Sequence, residues 1–228
     1  MQPSMELRWF VQGVLRDDLN RWFETSTLVA HAAGEFKPSI DERHDTYLRL
    51  PHRTDLGIKL RKDERIEIKE RLRDNGIQAL SPEVEGRIEQ WVKWSFLLNP
   101  EEANLPDTSP LEDGWIDVQK TRRSRKLAVH SANLVVEIEP KSKAKGVPEG
   151  CNLELTTLSA RNQIWHTLGF EAFGSMRTVE RNLALVVSEV LLHSRFPPMK
   201  ARDSFGYPEW LRRILLTETS SVDVQDVD

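Results

Sequence analysis

Residues 45–72 read DTYLRLPHRTDLGIKLRKDERIEIKERL, and within them three short segments alternate charged and apolar residues with a period of two. Leu48 and Leu50 oppose Tyr47 and Arg49. Ile58 and Leu60 oppose Lys59 and Arg61. Ile66, Ile68 and Leu72 oppose Arg65, Glu67, Lys69 and Arg71. Successive side chains of a strand point to opposite sides of its sheet, so each segment reads as an amphipathic strand. Pro51 and Gly57 separate the first two, and Lys62-Asp63-Glu64 makes a polar hairpin connection to the third. The polar faces carry Arg and Lys where a merely solvated strand mixes in Thr, Ser and Gln.

The same design recurs along the chain. Over residues 6–12, Leu7, Trp9 and Val11 face one way and Glu6, Arg8, Phe10 and Gln12 the other. Ile116 and Val118 lead into a run of five basic residues in seven, in which Lys120, Arg122 and Lys126 share a strand face. In 133–139, Leu134, Val136 and Ile138 oppose Val135, Glu137 and Glu139; in 152–158, Leu153 and Leu155 oppose Glu154 and Thr156.

Helices are expected between and after these strands. A rough stripe of Leu19, Trp22 and Phe23 predicts one over 17–24. Ser81-Pro82-Glu83 has the form of a helix start, with Val84, Ile88, Trp91 and Val92 on one face as far as Leu98. Ser159 is expected to cap a helix through Leu168 that ends at Gly169. A longer helix is expected over 175–193, and Pro208 opens a final one with Trp210, Leu211, Ile214 and Leu215. Residues 100–114 and 140–150 read as loops. The segment 217–228 has four acids and no base, and is expected as a disordered acidic tail behind a single domain spanning 1–216.

Composition narrows the function classes. A net charge of −4 argues against a general nucleic-acid binder, so any basic site must be local. Cys151, the single cysteine, cannot form an internal disulfide, and neither a signal peptide nor an apolar run of ~20 residues is present. These features read as a cytoplasmic, soluble protein with no membrane partner. There is no Walker loop, dinucleotide-binding glycine motif, zinc cluster or Ser-His-Asp set.

Two architectures accommodate the alternation. In an open antiparallel sheet the charged faces are solvated and the apolar faces lie on helices. In a closed barrel Arg8, Arg49, Lys59, Arg61, Lys69, Lys120 and Arg122 converge on a lumen, with Glu6, Glu67, Glu137, Glu139 and Glu154 among them. A lumen lined by cations calls for an anion, and interspersed carboxylates could hold a divalent metal that bridges phosphate oxygens.

The chain resembles the CYTH, or triphosphate tunnel, superfamily, which includes class IV adenylate cyclases and thiamine triphosphatases. The resemblance runs from Met5 to Trp210. It is carried by Asp45-Thr46-Tyr47, by Lys59-Leu60-Arg61, by the strand ending in Lys69, by Lys120 and Arg122, by Glu137 or Glu139, by Glu154-Leu155-Thr156, and by Lys200 ahead of Ser204-Phe205-Gly206-Tyr207. It implies an α+β fold: an eight-stranded antiparallel β-barrel with a polar lumen and helices packed outside. It also implies an anionic, phosphate-containing small molecule as ligand and Mg²⁺ or Mn²⁺ as cofactor. Lys59, Arg61 and Lys69 would be the catalytic, phosphate-holding residues, with Arg8, Lys120, Arg122 and Lys200 as further substrate contacts. Glu6, Glu137, Glu139 and Glu154 would be the metal ligands.

Departures from the family pattern bear on activity. The family's Glu-x-Glu-x-Lys strand reads Glu6, Arg8 and Phe10 here, and its later Glu-x-Glu reads Glu154 and Thr156. A cation at Arg8 repels a divalent ion, whereas the basic phosphate clamp is nearly complete. Three functions are therefore compared: a divergent metal-dependent phosphohydrolase, a non-catalytic anion sensor or scaffold, and an RNA- or protein-binding module built on 120–126 and 141–145.

Overall fold

The computed structural model describes residues 1–61, 65–98, 114–140 and 147–222. The expected 62–64 connection and most of the 100–114 and 140–150 loops lie outside the described residues. In chain order the elements are β1 (Gln2–Gln12), α1 (Asp17–Thr25), β2 (His31–Ala32), β3 (Ser39–Leu48), β4 (Leu56–Arg61), β5 (Arg65–Ser81), β6 (Val84–Leu97), β7 (Trp115–Val129), β8 (Val135–Ile138), β9 (Gly150–Ala160), β10 (Gln163–Phe173), α2 (Val179–His193) and α3 (Tyr207–Val222).

Eight of the strands close into an antiparallel barrel in the order β7-β3-β4-β5-β6-β1-β10-β9, with β9 pairing back onto β7. Closure removes the sheet edges, and alternate residues of every strand then share one lumen. β8 lies outside this ring. It continues beside β7 from Lys126 to Val129, past the point where β3 ends at Ser124, and β2 pairs with it in parallel.

Two expected helices are strands. β5 does not stop near Leu72 but continues to Ser81, where Pro82 and Glu83 form the two-residue turn into β6. Val84, Gly86 and Val92 of β6 are buried on the outer wall, and Glu89 and Trp91 on the inner one. Val84, Ile88 and Val92, four apart, satisfy a period of two as well as a helical one, whereas Trp91 falls on the other wall. At Gly86 the strand passes so close to β1 that a Cβ would lie 2.4 Å from a Leu7 methyl carbon. Likewise, residues 159–169 form a hairpin. Arg161 (φ 47°) and Asn162 (φ 58°) make a tight turn with both residues left-handed, and Ala160 pairs with Gln163. Trp165 and Leu168 point to opposite sides of β10, into separate apolar clusters.

The apolar exterior of β1, β9 and β10 packs beneath α1 and α2, burying Leu7, Trp9, Leu155, Phe170, Trp22, Phe23, Leu183 and Val186. Each such side chain contributes roughly 1.5–3 kcal/mol when taken out of water. A second apolar cluster stops one end of the barrel. There Phe10, Tyr47, Ile116, Val118, Leu158 and Trp165 from the inner wall meet Phe205 and, from α3, Trp210, Leu211 and Ile214. Phe10 stacks on Phe205 at 4.9 Å and on Trp210 at 5.8 Å between ring centres. α3 runs to Val222, into the segment expected as a tail; residues 223–228 lie outside the described residues. Among the described residues, no helix is long and apolar enough to cross a membrane.

Candidate functional site

Above that apolar stopper the lumen opens into a cavity of about 160 Å³. Antiparallel register sets its walls. Tyr47 sits opposite Lys59, Asp45 opposite Arg61, and Lys59 in turn opposite Glu67, while Arg122 faces Thr156 and Arg8 faces Gly169. Side chains that are 6 to 159 residues apart in sequence therefore touch across neighbouring strands.

On one wall Asp45 accepts from Lys59 Nζ (3.0 Å) and Arg61 Nε (3.1 Å) and lies 3.2 Å from Lys120 Nζ. Glu67 pairs with Lys59 at 3.2 Å and Arg61 at 3.1 Å. Burial alone would raise the Asp45 carboxyl, but Lys120, Lys59 and Arg61 hold it well below the usual carboxylate range. Burial also lowers Lys59 and, with Lys59 beside it, pushes Lys120 well below an ordinary lysine despite Asp45. Lys120 lies 4.3 Å from the ring centre of Tyr207 and 4.7 Å from that of Tyr47, and donates to the Tyr47 hydroxyl at 2.5 Å.

The opposite wall is built around Glu154. It accepts from Arg122 at 2.5 Å and lies 3.5 Å from Arg8, whose guanidinium also contacts the Tyr207 ring at 5.2 Å. Lys69 bonds to Glu6 and lies 3.8 Å from Glu171. Burial works against ionisation of Glu171, but Lys69, Lys93, Arg8 and Arg122 bring it down to about 2. Burial opposes the charge of Arg8 too, yet Tyr207, Glu154 and Glu6 outweigh it and raise Arg8 above the ordinary arginine value.

Among the described residues, eight cations and five carboxylates line the cavity, so its field is net positive. The carboxylates do not exhaust the donors. Arg8 Nε, Arg122 Nε, Thr156 Oγ1 and Trp91 Nε1 are buried on these walls with no hydrogen-bond partner among the described residues. A buried donor without an acceptor costs roughly 1–3 kcal/mol.

Of the residues expected to form the site, Glu6, Arg8, Lys59, Arg61, Lys69, Lys120, Arg122 and Glu154 all line the cavity. Four do not. Arg49 follows the end of β3 and is not part of the wall. Lys200 is exposed in the link between α2 and α3. Glu137 lies on β8, outside the ring, where Arg125 donates to both its oxygens (2.7 and 2.8 Å) and also to the Phe23 and Ser26 carbonyls beside α1. Glu139 is exposed beyond β8. For Arg49, Glu137 and Glu139 a strand-face parity was readable, but membership of the ring was not.

The basic run 120–126 forms no external basic surface. Lys120 and Arg122 point inward, Arg123 pairs with Glu24 at 2.6 Å, and Arg125 is buried with Glu137. Residues 141–145 lie outside the described residues. Glu171 and Lys93 line the cavity without having been singled out in the sequence, while Trp91 and Tyr207, noted there for a helical stripe and a motif, were not expected on its wall. Trp91 and Glu171 alternate with apolar neighbours on strands read as helix or left unassigned.

The donor set does not fit a divalent metal. Mg²⁺ and Mn²⁺ need several free oxygen ligands. Here Glu6 is taken by Lys69 and by the Ser4 hydroxyl at 2.7 Å, Glu154 by Arg8 and Arg122, and Asp45 and Glu67 by Lys59 and Arg61. Among the described residues, no three His, Cys, Asp or Glu side chains converge as a metal-ligand set.

No protein-family model matches the chain, and no curated protein matches it. Among solved structures it is similar to the Pct1 RNA triphosphatase of S. pombe in complex with the Spt5 CTD. That likeness has a TM-score of 0.36 at 12% sequence identity and covers 98% of this chain and 83% of that one. It is too distant to bear on the site.

Proposed function

We propose that the barrel lumen is a receptor for a phosphate-chain anion of the triphosphate or polyphosphate type, and that phosphate release from it is weak or missing. The observation that carries this reading is the combination of a net-positive, largely buried cavity with donors that have no acceptor. Lys59, Arg61, Lys69 and Arg122 hold the phosphates, helped by Lys120 and Arg8. Their mutual spacing is maintained by the carboxylates between them, which keep like charges from repelling one another before ligand arrives. Water, displaced from a cavity of this size by the anion, leaves charge-assisted contacts in a low-dielectric setting where they are strong.

Efficient phosphoryl transfer asks more. Charge developing on the transferred group must be neutralised and an attacking water oriented, and a metal ion ordinarily supplies both. Among the described residues every lumen carboxylate is in an ion pair, so none of them is free to act as general base beside the phosphate clamp. Calorimetry with tripolyphosphate on wild type and Arg61→Ala tests the reading: binding by wild type, about ten- to a hundredfold weaker in the variant, is expected. Absence of binding by wild type, or equal affinity in both, rejects it. Rapid phosphate release that chelator abolishes would replace it with the phosphohydrolase reading.

A further inference from the structure

Arg8, Arg122 and Thr156 lie on β1, β7 and β9, which the ring brings together around β10. Arg122 and Thr156 are directly paired across β7 and β9, and Thr156 is paired with Thr167, whose hydroxyl accepts from Arg8 Nη1 at 3.4 Å. Arg8 is 5% exposed and Thr156 1%. Both line the cavity, and both carry a polar atom with no partner among the described residues, as does Arg122. Glu154 occupies the other edges of the two guanidinium groups, through Arg122 Nη1 and Arg8 Nη2. Both arginines are held by Glu154, and Arg122 also donates through Nη2 to Asp41 at 3.1 Å, while their Nε–H groups and the Thr156 hydroxyl have no partner among the described residues.

The cation is built in. Gly169 stands opposite Arg8, and a Cβ there would lie 2.5 Å from the guanidinium carbon, so the strand is cleared to let Arg8 lie flat against it. A guanidinium is a permanent charge with planar donors suited to oxyanions. Held between Glu154 and the Glu6 side of the lumen, it supplies the positive charge that a metal ion would otherwise bring to a phosphoryl oxygen.

We infer that Arg8, Arg122 and Thr156 form a metal-independent oxyanion subsite that takes one tetrahedral phosphoryl group, either free phosphate or the end of a phosphate chain. This rests on the reading of the lumen as a phosphate-chain receptor and specifies where one group of the chain sits and what holds it.

The test is calorimetry with two probes, inorganic phosphate and tripolyphosphate, each with Mg²⁺ and with chelator present. Wild type is expected to bind tripolyphosphate equally in both conditions. Detectable binding of inorganic phosphate alone assigns the subsite to free phosphate; its absence alongside tripolyphosphate binding assigns it to a chain end. Thr156→Val keeps the shape of the side chain and removes only the hydroxyl. It should bind tripolyphosphate about tenfold more weakly, while the ligand-free variant melts no lower than wild type because an unpaired buried hydroxyl is gone. Arg8→Lys keeps the charge and loses the planar donor, and should weaken binding similarly. Lys200→Ala, away from the lumen, should bind as wild type does. Wild-type affinity in both Thr156→Val and Arg8→Lys, with Arg61→Ala still impaired, overturns the subsite and leaves the receptor reading standing. Affinity that appears only with Mg²⁺ overturns metal independence. No binding of either probe by wild type removes both.

Discussion

Gly169 faces Arg8 across the β1–β10 ladder, and the space where its Cβ would be is filled by the Arg8 guanidinium, 2.5 Å from the Cβ position to Cζ. The glycine's role lies in this close approach; its backbone is not among those with positive φ. Gly169→Ala is expected to displace Arg8 from Glu154. Overpacking of this kind costs about 1–3 kcal/mol, readable as a lower urea midpoint with unchanged slope. Metal-free tripolyphosphate affinity should fall with it. An alanine variant as stable as wild type, with the same affinity, would show that Arg8 needs no such clearance.

The acid limb of stability should carry a signature of Glu171. Its carboxyl is brought from the ordinary 4.5 down to about 2 by Lys69, Lys93, Arg8 and Arg122 against the effect of burial. A depressed acid stabilises the fold above its unfolded value and loses that contribution as pH falls through its folded value. The stability difference between wild type and Glu171→Gln should therefore be fully present at neutral pH and shrink between about pH 4 and pH 2. Denaturant titrations at stepped pH measure it. A difference that grows on acidification contradicts the assignment.

Glu137 and the lumen should be separable. Removing one partner of a buried ion pair leaves the other charge uncompensated, at about 3–5 kcal/mol. Glu137→Ala strands Arg125 beneath α1 and should lower the melting temperature sharply. Folded protein should retain wild-type tripolyphosphate affinity. Lost affinity without lost stability would return Glu137 to the list of site residues.

Converting donors to acceptors should reverse the preference of the site. Arg8→Glu with Thr156→Glu places two further carboxylates near Glu6 and Glu154 and deletes the fixed cation. Calorimetry with Mn²⁺ should then detect metal binding stronger than in wild type, and tripolyphosphate should bind only when metal is present. Phe10 is best left alone in this design, because it stacks between Phe205 and Trp210 in the apolar stopper. An unchanged metal affinity, with metal-free anion binding intact, would sink the electrostatic argument.

Much of the site was legible in the sequence because strand geometry is local. A period of two assigns each side chain to a face without reference to partners, so Lys59, Arg61 and Lys69 could be placed with Arg8, Lys120, Arg122, Glu6 and Glu154 on inward faces. The same rule misled where two periodicities coincided. Val84, Ile88 and Val92 share a face of a helix as well as of a strand, and Ser81-Pro82-Glu83 has the chemistry of either a helix start or a turn.

Tertiary structure alone decided which faces meet. Closure depends on β9 returning to β7 and on β1 lying between β6 and β10, pairings between segments distant in sequence whose register no local pattern encodes. Glu137 and Glu154 have similar strand contexts, yet one falls outside the ring because β7 outruns β3 and takes β8 as its neighbour. The alternation of the chain determined that a charged surface and an apolar surface would exist. Long-range hydrogen-bonded register determined that the charged one is a lumen, with Arg8 lying against Gly169 on its wall.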